Sequence, residues 1–302
     1  MKPTDCYLCG SSAKTELFHQ YGDDEYLDLL GWSTEELDLG WYNCDNCGLT
    51  YRSPTLTAEE YDLLYEKYDQ AVLSDKDPDD FFQRIVNLPD EKSENHQKLE
   101  WLEDTLHDLD STRFSESRWS VLDVGCGSGA LLYTLSELMS PRDVYGVEPN
   151  QQYAEMANRH ITGEIACQDY NSDIFDMSFD LILCTKVLEH LRNPVALLNE
   201  MSENIGSAGK LFVEVPHMKD MVKFKPDSGR FFVAHLYYFD QWSLYRVLEK
   251  AGWGIERYRV TTTHRDRSYL QVIATTDPEK SMEFKELGEQ TPWAQLVPKS
   301  MN

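Results

Sequence analysis

Long apolar runs are missing from this 302-residue chain. Nothing approaches the roughly 18–20 uninterrupted apolar residues that a membrane-spanning helix requires. The opening Met1-Lys2-Pro3-Thr4-Asp5-Cys6 lacks the apolar core of a signal peptide, so a cytoplasmic location is the default expectation. Basic residues are scarce as well: 28 Lys and Arg stand against 53 Asp and Glu, a formal net charge of -25. Binding to nucleic acid or to an anionic membrane depends on Lys and Arg displacing counterions, so both are disfavoured and a small-molecule partner is expected. The excess of acid reads most simply as a solvated surface. No internal repeat is visible. The length allows a full hydrophobic core and suits one full domain plus a smaller one, at about 150 residues per domain.

Four of the seven cysteines fall in two C-x-x-C pairs, Cys6/Cys9 and Cys44/Cys47, each followed by glycine. Two such knuckles present four sulfurs from two tight turns, eased by Gly10 and Gly48, which is the pattern of a zinc ribbon. A closed four-sulfur site leaves no open coordination position, so the expected role is structural. Disulfides are the alternative. Cys126, Cys167 and Cys184 read as small apolar residues of a reduced, cytoplasmic chain, which favours thiolates and zinc. Residues 10–43, an insert longer than the usual ribbon spacing, include the acidic, partly apolar stretch Y-G-D-D-E-Y-L-D-L-L-G.

The run Val121 to Gly129, V-L-D-V-G-C-G-S-G, ends a buried strand in a glycine loop and opens a helix. Glycines at 125, 127 and 129 let the backbone turn sharply and approach a ligand, and the helix N-terminus offers free N–H groups. A nucleotide-like cofactor is implied. The spacing is G-x-G-x-G and not the G-x-G-x-x-G of dinucleotide sites. Asp123 at the strand end would repel a pyrophosphate but attract the ammonium and sulfonium of S-adenosylmethionine (SAM). Glu148, closing the next strand, suits ribose hydroxyls.

With these residues the chain resembles the class I SAM-dependent methyltransferases through roughly residues 95–276. The matching pieces are Asp123 to Gly129, Glu148, Asp169 in C-Q-D-Y, the block from Phe179 to Leu191 (F-D-L-I-L-C-T-K-V-L-E-H-L), and Gly209 to Pro216 (G-K-L-F-V-E-V-P). The resemblance implies an α/β fold: a doubly wound, mostly parallel seven-stranded sheet closed by an antiparallel edge hairpin. Strands are expected at 121–124, 144–148, about 164–167, 179–184, 210–215, 255–262 and 268–275. Helices are expected at about 129–139, 151–159, 194–204 and 241–250. The expected organisation is a zinc ribbon at 1–54, a helical connector at 55–94, the methyltransferase domain at 95–276, and a loose tail from 277 that carries Pro278, Pro292 and Pro298.

Ligands of a doubly wound sheet lie at the carboxyl ends of its strands. The expected cofactor contacts are therefore Gly125, Cys126, Gly127 and Gly129 for the methionine end of SAM, Asp123 for its ammonium and Glu148 for the ribose. Asp169 and Tyr170 are expected near the adenine, and Thr185 lies at the fourth strand end, where substrate and sulfonium meet. Candidate proton acceptors are His235, His190 and Glu214. His235 sits in the aromatic block F-F-V-A-H-L-Y-Y-F-D (231–240). That block, the C-x-x-C-G pairs and Cys47-Gly48-Leu49 resemble a narrower group of zinc-ribbon methyltransferases that includes deoxysugar C-methyltransferases, where the matching histidine is associated with proton abstraction. The preceding position, acidic in those enzymes, is Ala234 here.

These features together predict methyl transfer to a small polar metabolite: a sugar, nucleotide-sugar or glycan. RNA methylation is a second reading, resting on a local basic patch around Lys219, Lys223, Lys225 and Arg230. A SAM- or partner-binding module without turnover is a third. Thr57 with Glu60 forms a capping box, and Tyr61, Leu64, Tyr65 and Tyr68 then share a helical face, either as packing or as the lining of a substrate mouth. Asp75 to Asp80 reads as a polar break, and Leu99, Leu102, Leu106 and Leu109 mark an amphipathic helix against the sheet.

Overall fold

The computed structural model describes residues 5–20, 24–32, 37–73, 78–114, 118–228 and 230–297. Half of the expected polar break, residues 75–77, lies outside them, as does the side chain of Tyr68.

Among the described residues a seven-stranded sheet forms the body. Its strands are β4 (Ser120–Val124), β5 (Asp143–Val147), β6 (Glu164–Ala166), β7 (Phe179–Thr185), β8 (Ile205–Pro216), β10 (Gly254–Thr262) and β11 (Ser268–Thr275), in the order β10-β11-β8-β7-β4-β5-β6. Pairings from β6 through β8 are parallel, and β11 and β10 add the antiparallel edge. This is the expected doubly wound sheet. β4 is buried along its whole length, as a strand covered on both faces must be. Its period-2 alternation sends Val121 to one face, with Leu99, Leu102, Leu106, Leu131 and Leu135. Leu122 goes to the other, with Leu198, Leu244 and Leu248. The chain leaves β4 toward β5 and β6, then returns to the opposite side at β7. The carboxyl ends of β4 and β7 therefore flank the switch point, where a crevice opens.

A second sheet, β1 (Lys14–His19), β2 (Gly40–Cys44), β3 (Thr50–Ser53) and β9 (Tyr237–Tyr238), is antiparallel throughout. Its fourth strand comes from the aromatic block far along the chain. Thr50 pairs with Tyr238 and Tyr51 with Tyr237, so the N-terminal cysteine region shares a sheet with the segment carrying His235. Buried Arg52 reinforces the join, donating to the carbonyls of Phe231, Phe232 and His235 at 2.6, 3.0 and 3.1 Å. Asp24 does the same from the insert: it caps the helix Glu25–Leu30 and accepts from Val233 N at 2.7 Å.

Two expectations are corrected. β8 begins at Ile205, five residues before the apolar run, because the small residues Gly206 to Gly209 continue the strand without an apolar signature. The segment after Asp277 is not a loose tail as far as Val297. Leu287 and Val297 are buried, and the Trp293 indole donates to Asp240 at 2.8 Å. Three anchors spaced among prolines are enough to seat it. Among the described residues no helix is long and apolar enough to cross a membrane.

Candidate active site

The glycine loop leaves β4 with Gly125 and Gly127 at φ +77° and +54°. A Cβ at Gly125 would meet Val187 Cγ2 at 2.7 Å, so that position tolerates only glycine, whereas beside Gly127 there is open space. A bare backbone with room in front of it can accept close approach by a ligand. Cys126 turns its sulfur inward, 2.9 Å from where a Cβ on Gly146 would lie. Only its backbone is left for a ligand.

Asp123 lies beneath this loop, 1% exposed, and its Oδ1 is buried without a hydrogen-bond partner among the described residues. Burial pushes its carboxyl up to about 7; Lys98 opposes this and Glu148 adds to it. Such an orphaned acceptor costs on the order of 1–3 kcal/mol unless something cationic or donating meets it. Glu148 accepts from Gly127 N at 2.8 Å and Asn150 N at 2.9 Å, tying the loop to the start of the helix Gln151–His160.

In front of these residues is a cleft of about 660 Å³, lined by Gly125, Glu148, Asp169, Tyr170, Lys186 and His190 among others. Tyr170 donates to Asn204 at 2.6 Å. Asp123, Cys126, Gly127, Gly129 and Thr185 are absent from the lining; Asp123 is buried beneath the loop, Gly129 caps the helix Ala130–Met139 and Thr185 is half-buried at the end of β7.

The histidines meet. His190 and His235 pack edge to face with centroids 4.8 Å apart, and His190 lines the cleft. His190 Nδ1 lies 3.0 Å from the Ala234 carbonyl and 3.0 Å from the Tyr65 hydroxyl. A carbonyl can only accept, so Nδ1 carries the proton and Nε2 keeps its lone pair. Burial lowers His190 to about 4, the Ala234 carbonyl opposing. Burial, then repulsion from His190 whenever both rings are charged, and the positive charge of Arg52, Arg267 and Lys186 push His235 well below its ordinary value. His235 Nδ1 is buried without a partner. Glu189, which shares a turn with His190 and was given no role from the sequence, is buried beside them, and burial raises its carboxyl to about 8.

Glu214 departs from its expected role. Its Oε1 accepts from Lys98 and its Oε2 from Gln271, all three buried. Burial pushes it up, but Lys98 and Lys186 hold it below the usual carboxylate range. One oxygen is spent on buried Lys98 and the other on the Gln271 amide, so it offers no free base. Lys98 directly precedes the apolar stripe Leu99, Leu102, Leu106 and shares a helix face with Leu102, a faint signal in the sequence. Lys186 (φ +59°) donates to Glu94 at 2.9 Å.

At the ribbon, Cys6 and Cys47 sulfurs are 3.4 Å apart, Cys9 and Cys44 3.5 Å, and all four lie within 4.8 Å of one another. Four zinc–sulfur bonds of about 2.3 Å in a tetrahedron imply sulfur separations of about 3.8 Å. A disulfide would need about 2.05 Å. The donor set fits one zinc ion.

A doubly wound sheet with a glycine loop and an acidic strand end at its switch point defines a nucleotide-type cofactor protein of the α/β class. Within that class the chain belongs to the methyltransferase domain family, whose model matches residues 76–258. It is 30% identical over 101 residues to tRNA U34 carboxymethyltransferase of Nautilia profundicola, covering 31% of this chain and 33% of that protein. It is 34% identical over 101 residues to ubiquinone biosynthesis O-methyltransferase of Idiomarina loihiensis, covering 30% and 40%. The chain thus spans well under two thirds of the length of these relatives. Magnesium protoporphyrin IX methyltransferase of Synechocystis PCC 6803, solved with bound SAM, is 17% identical over 68% of this chain and 97% of that one, with a TM-score of 0.47.

Proposed function

We propose that the protein is a SAM-dependent methyltransferase acting on a small polar metabolite: a sugar, nucleotide-sugar or glycan. The observation that carries this reading is the cleft itself, with a glycine loop over orphaned Asp123 at the β4 end and the His190–His235 pair beyond β7. SAM, when bound, supplies an electrophilic methyl group on a sulfonium. Asp123 faces its ammonium, Glu148 its ribose hydroxyls, and Asp169 and Tyr170 its adenine. The acceptor lies against His190, whose free Nε2 can take the proton as the acceptor attacks. Positioning of the two reactants does much of the work. The tRNA-modifying relative favours RNA as a second acceptor class. Against it stand the net charge of -25 and a depleted basic patch: Lys223 pairs with Asp266, and Arg230 donates to the Arg265 carbonyl at 2.8 Å. A labelled-methyl assay against pooled nucleotide-sugars, glycans and total RNA tests the choice. Label in RNA alone overturns it, and no label in any pool with the cofactor bound favours a binding module.

The state of Asp123 gives a pH signature. A carboxyl near 7 is mostly protonated at pH 6 and must lose that proton to meet an ammonium, which costs about tenfold in affinity per pH unit below 7. Above about 8 an α-amino group loses its own charge. Calorimetry with S-adenosylhomocysteine should therefore show tightest binding between about pH 7 and 8. Asp123→Ala should weaken it by ~1–3 kcal/mol. Affinity that is level from pH 6 to 8 would remove Asp123 from the cofactor site.

A further inference from the structure

The charges along the cleft divide by strand. On the side of β5 and β6 its wall carries Glu148 and Asp169, and Glu200, from the helix Pro194–Asn204, joins them by accepting from Ser172 in the loop after β6. Beyond β7 it carries Lys186 and Arg192 beside neutral His190, and Arg52 and Arg267 lie close enough to be felt by His235. In a chain with 53 acids and 28 bases, this gathering of cations in one place is against the average. Lys186 is engaged by Glu94, and Arg52 by three carbonyls. Arg192 is exposed and makes no hydrogen bond or ion pair among the described residues.

Arg192 also lines a second cavity, of about 230 Å³, together with Asp5, Tyr7, Tyr51, Leu236 and Tyr237. Tyr7 and Tyr237 are inclined at 52° to each other there, with centroids 6.1 Å apart. The Tyr7 hydroxyl donates to Asn193, which lines the cleft, so the two cavities meet at Arg192-Asn193. Asp5 is the acid of that wall and is exposed.

We propose that Arg192 captures an anionic group of the acceptor, phosphate or carboxylate, while a ring of the same molecule rests against Tyr7 and Tyr237 in the side cavity. A planar guanidinium offers the two-pronged donor that both anions accept, and an unpaired one at a cavity junction is pre-set for it. Aromatic faces suit a base or a sugar ring. The division of charge then has a purpose: the acidic wall receives the cationic cofactor, and the cationic wall receives the acceptor. This proposal rests on the methyltransferase reading above and narrows its acceptor to an organic anion.

The test is calorimetry on full-length, zinc-replete protein saturated with S-adenosylhomocysteine, titrated with UDP, glucose 1-phosphate, glucuronate and glucose. Anionic probes should bind at least tenfold more tightly than glucose. Tighter binding of UDP and glucose 1-phosphate assigns the site to phosphate, and tighter binding of glucuronate assigns it to carboxylate. Arg192→Ala should weaken the anions by about 10- to 100-fold and leave S-adenosylhomocysteine affinity unchanged, with Arg192→Lys retaining part of the binding. Equal binding of glucose and the anions, or anion binding untouched in R192A, overturns the proposal while cofactor binding stands. Failure of S-adenosylhomocysteine to bind overturns the methyltransferase reading first.

Discussion

Stripping zinc, or replacing Cys44 with serine, is expected to unfold the N-terminal sheet and to silence methyl transfer with it. Structural zinc sites contribute about 10–16 kcal/mol of binding free energy at neutral pH, as much as the whole stability of a typical domain. The sheet that depends on the four cysteines is not a detachable bead. β3 pairs with β9, Arg52 holds the carbonyls of residues 231, 232 and 235, and the Tyr61 hydroxyl donates to the Val233 carbonyl from the helix Ala58–Leu73. Loss of the metal should therefore release the loop carrying His235, while the glycine loop and Asp123, built on β4, stay in place. Metal analysis should give one zinc per chain. Limited proteolysis of the chelated protein should cut first within residues 5–53, with S-adenosylhomocysteine binding retained and turnover lost. Metal-free protein with a protease-resistant N-terminus would rule the zinc site out.

That coupling was hidden from the sequence for a physical reason. Period-2 and period-3.6 patterns report on which face of an element is buried, so β4, β5, β7 and the helices at 130–139 and 241–250 were legible to within a residue or so. Pairing between Thr50–Tyr51 and Tyr237–Tyr238 is a contact between distant stretches, and neither stretch names its partner. The same holds for the buried ions. Lys98 and Glu214 each look like a surface charge when read alone, and only the fold brings the two carboxylate oxygens onto Lys98 and Gln271. Arg52 follows Tyr51 as an ordinary strand residue, yet it is fully buried. Motif reasoning did better where chemistry demands residue types at fixed spacing. The four cysteines do converge, and the loop after Asp123 does open on a cleft. The likeness to sugar enzymes led to His235, but which residues flank its ring depends on tertiary packing. His190, Phe232 and Tyr238 surround it, and of the histidine pair it is His190 that lines the cleft.

His235→Ala is expected to keep cofactor affinity and to lower turnover by ~100-fold or more, the usual scale of general-base catalysis, because its ring holds the proton-accepting His190 in place. The ring packs on His190, whose Nδ1–H is committed to the Ala234 carbonyl next door. The two imidazoles and buried Glu189 thus form one unit, and His190→Ala combined with His235→Ala should cost little more than either alone. The pH profile separates this unit from Asp123. Both histidines have depressed values, so the neutral, proton-accepting form is present above the folded pKa and is lost only as pH falls through it, at about 4 for His190. Turnover at saturating cofactor should therefore hold level from about pH 7, where Glu189 is already mostly protonated, down to about 5, through the region near 6.5 where an ordinary histidine would charge. Cofactor affinity should already be falling below 7. Full turnover in His235→Ala on the true acceptor would take His235 out of the chemistry and leave His190 Nε2 as the acceptor of the proton. An acid limb centred near 6.5 at saturation would show that the pair is more hydrated during turnover than its burial implies.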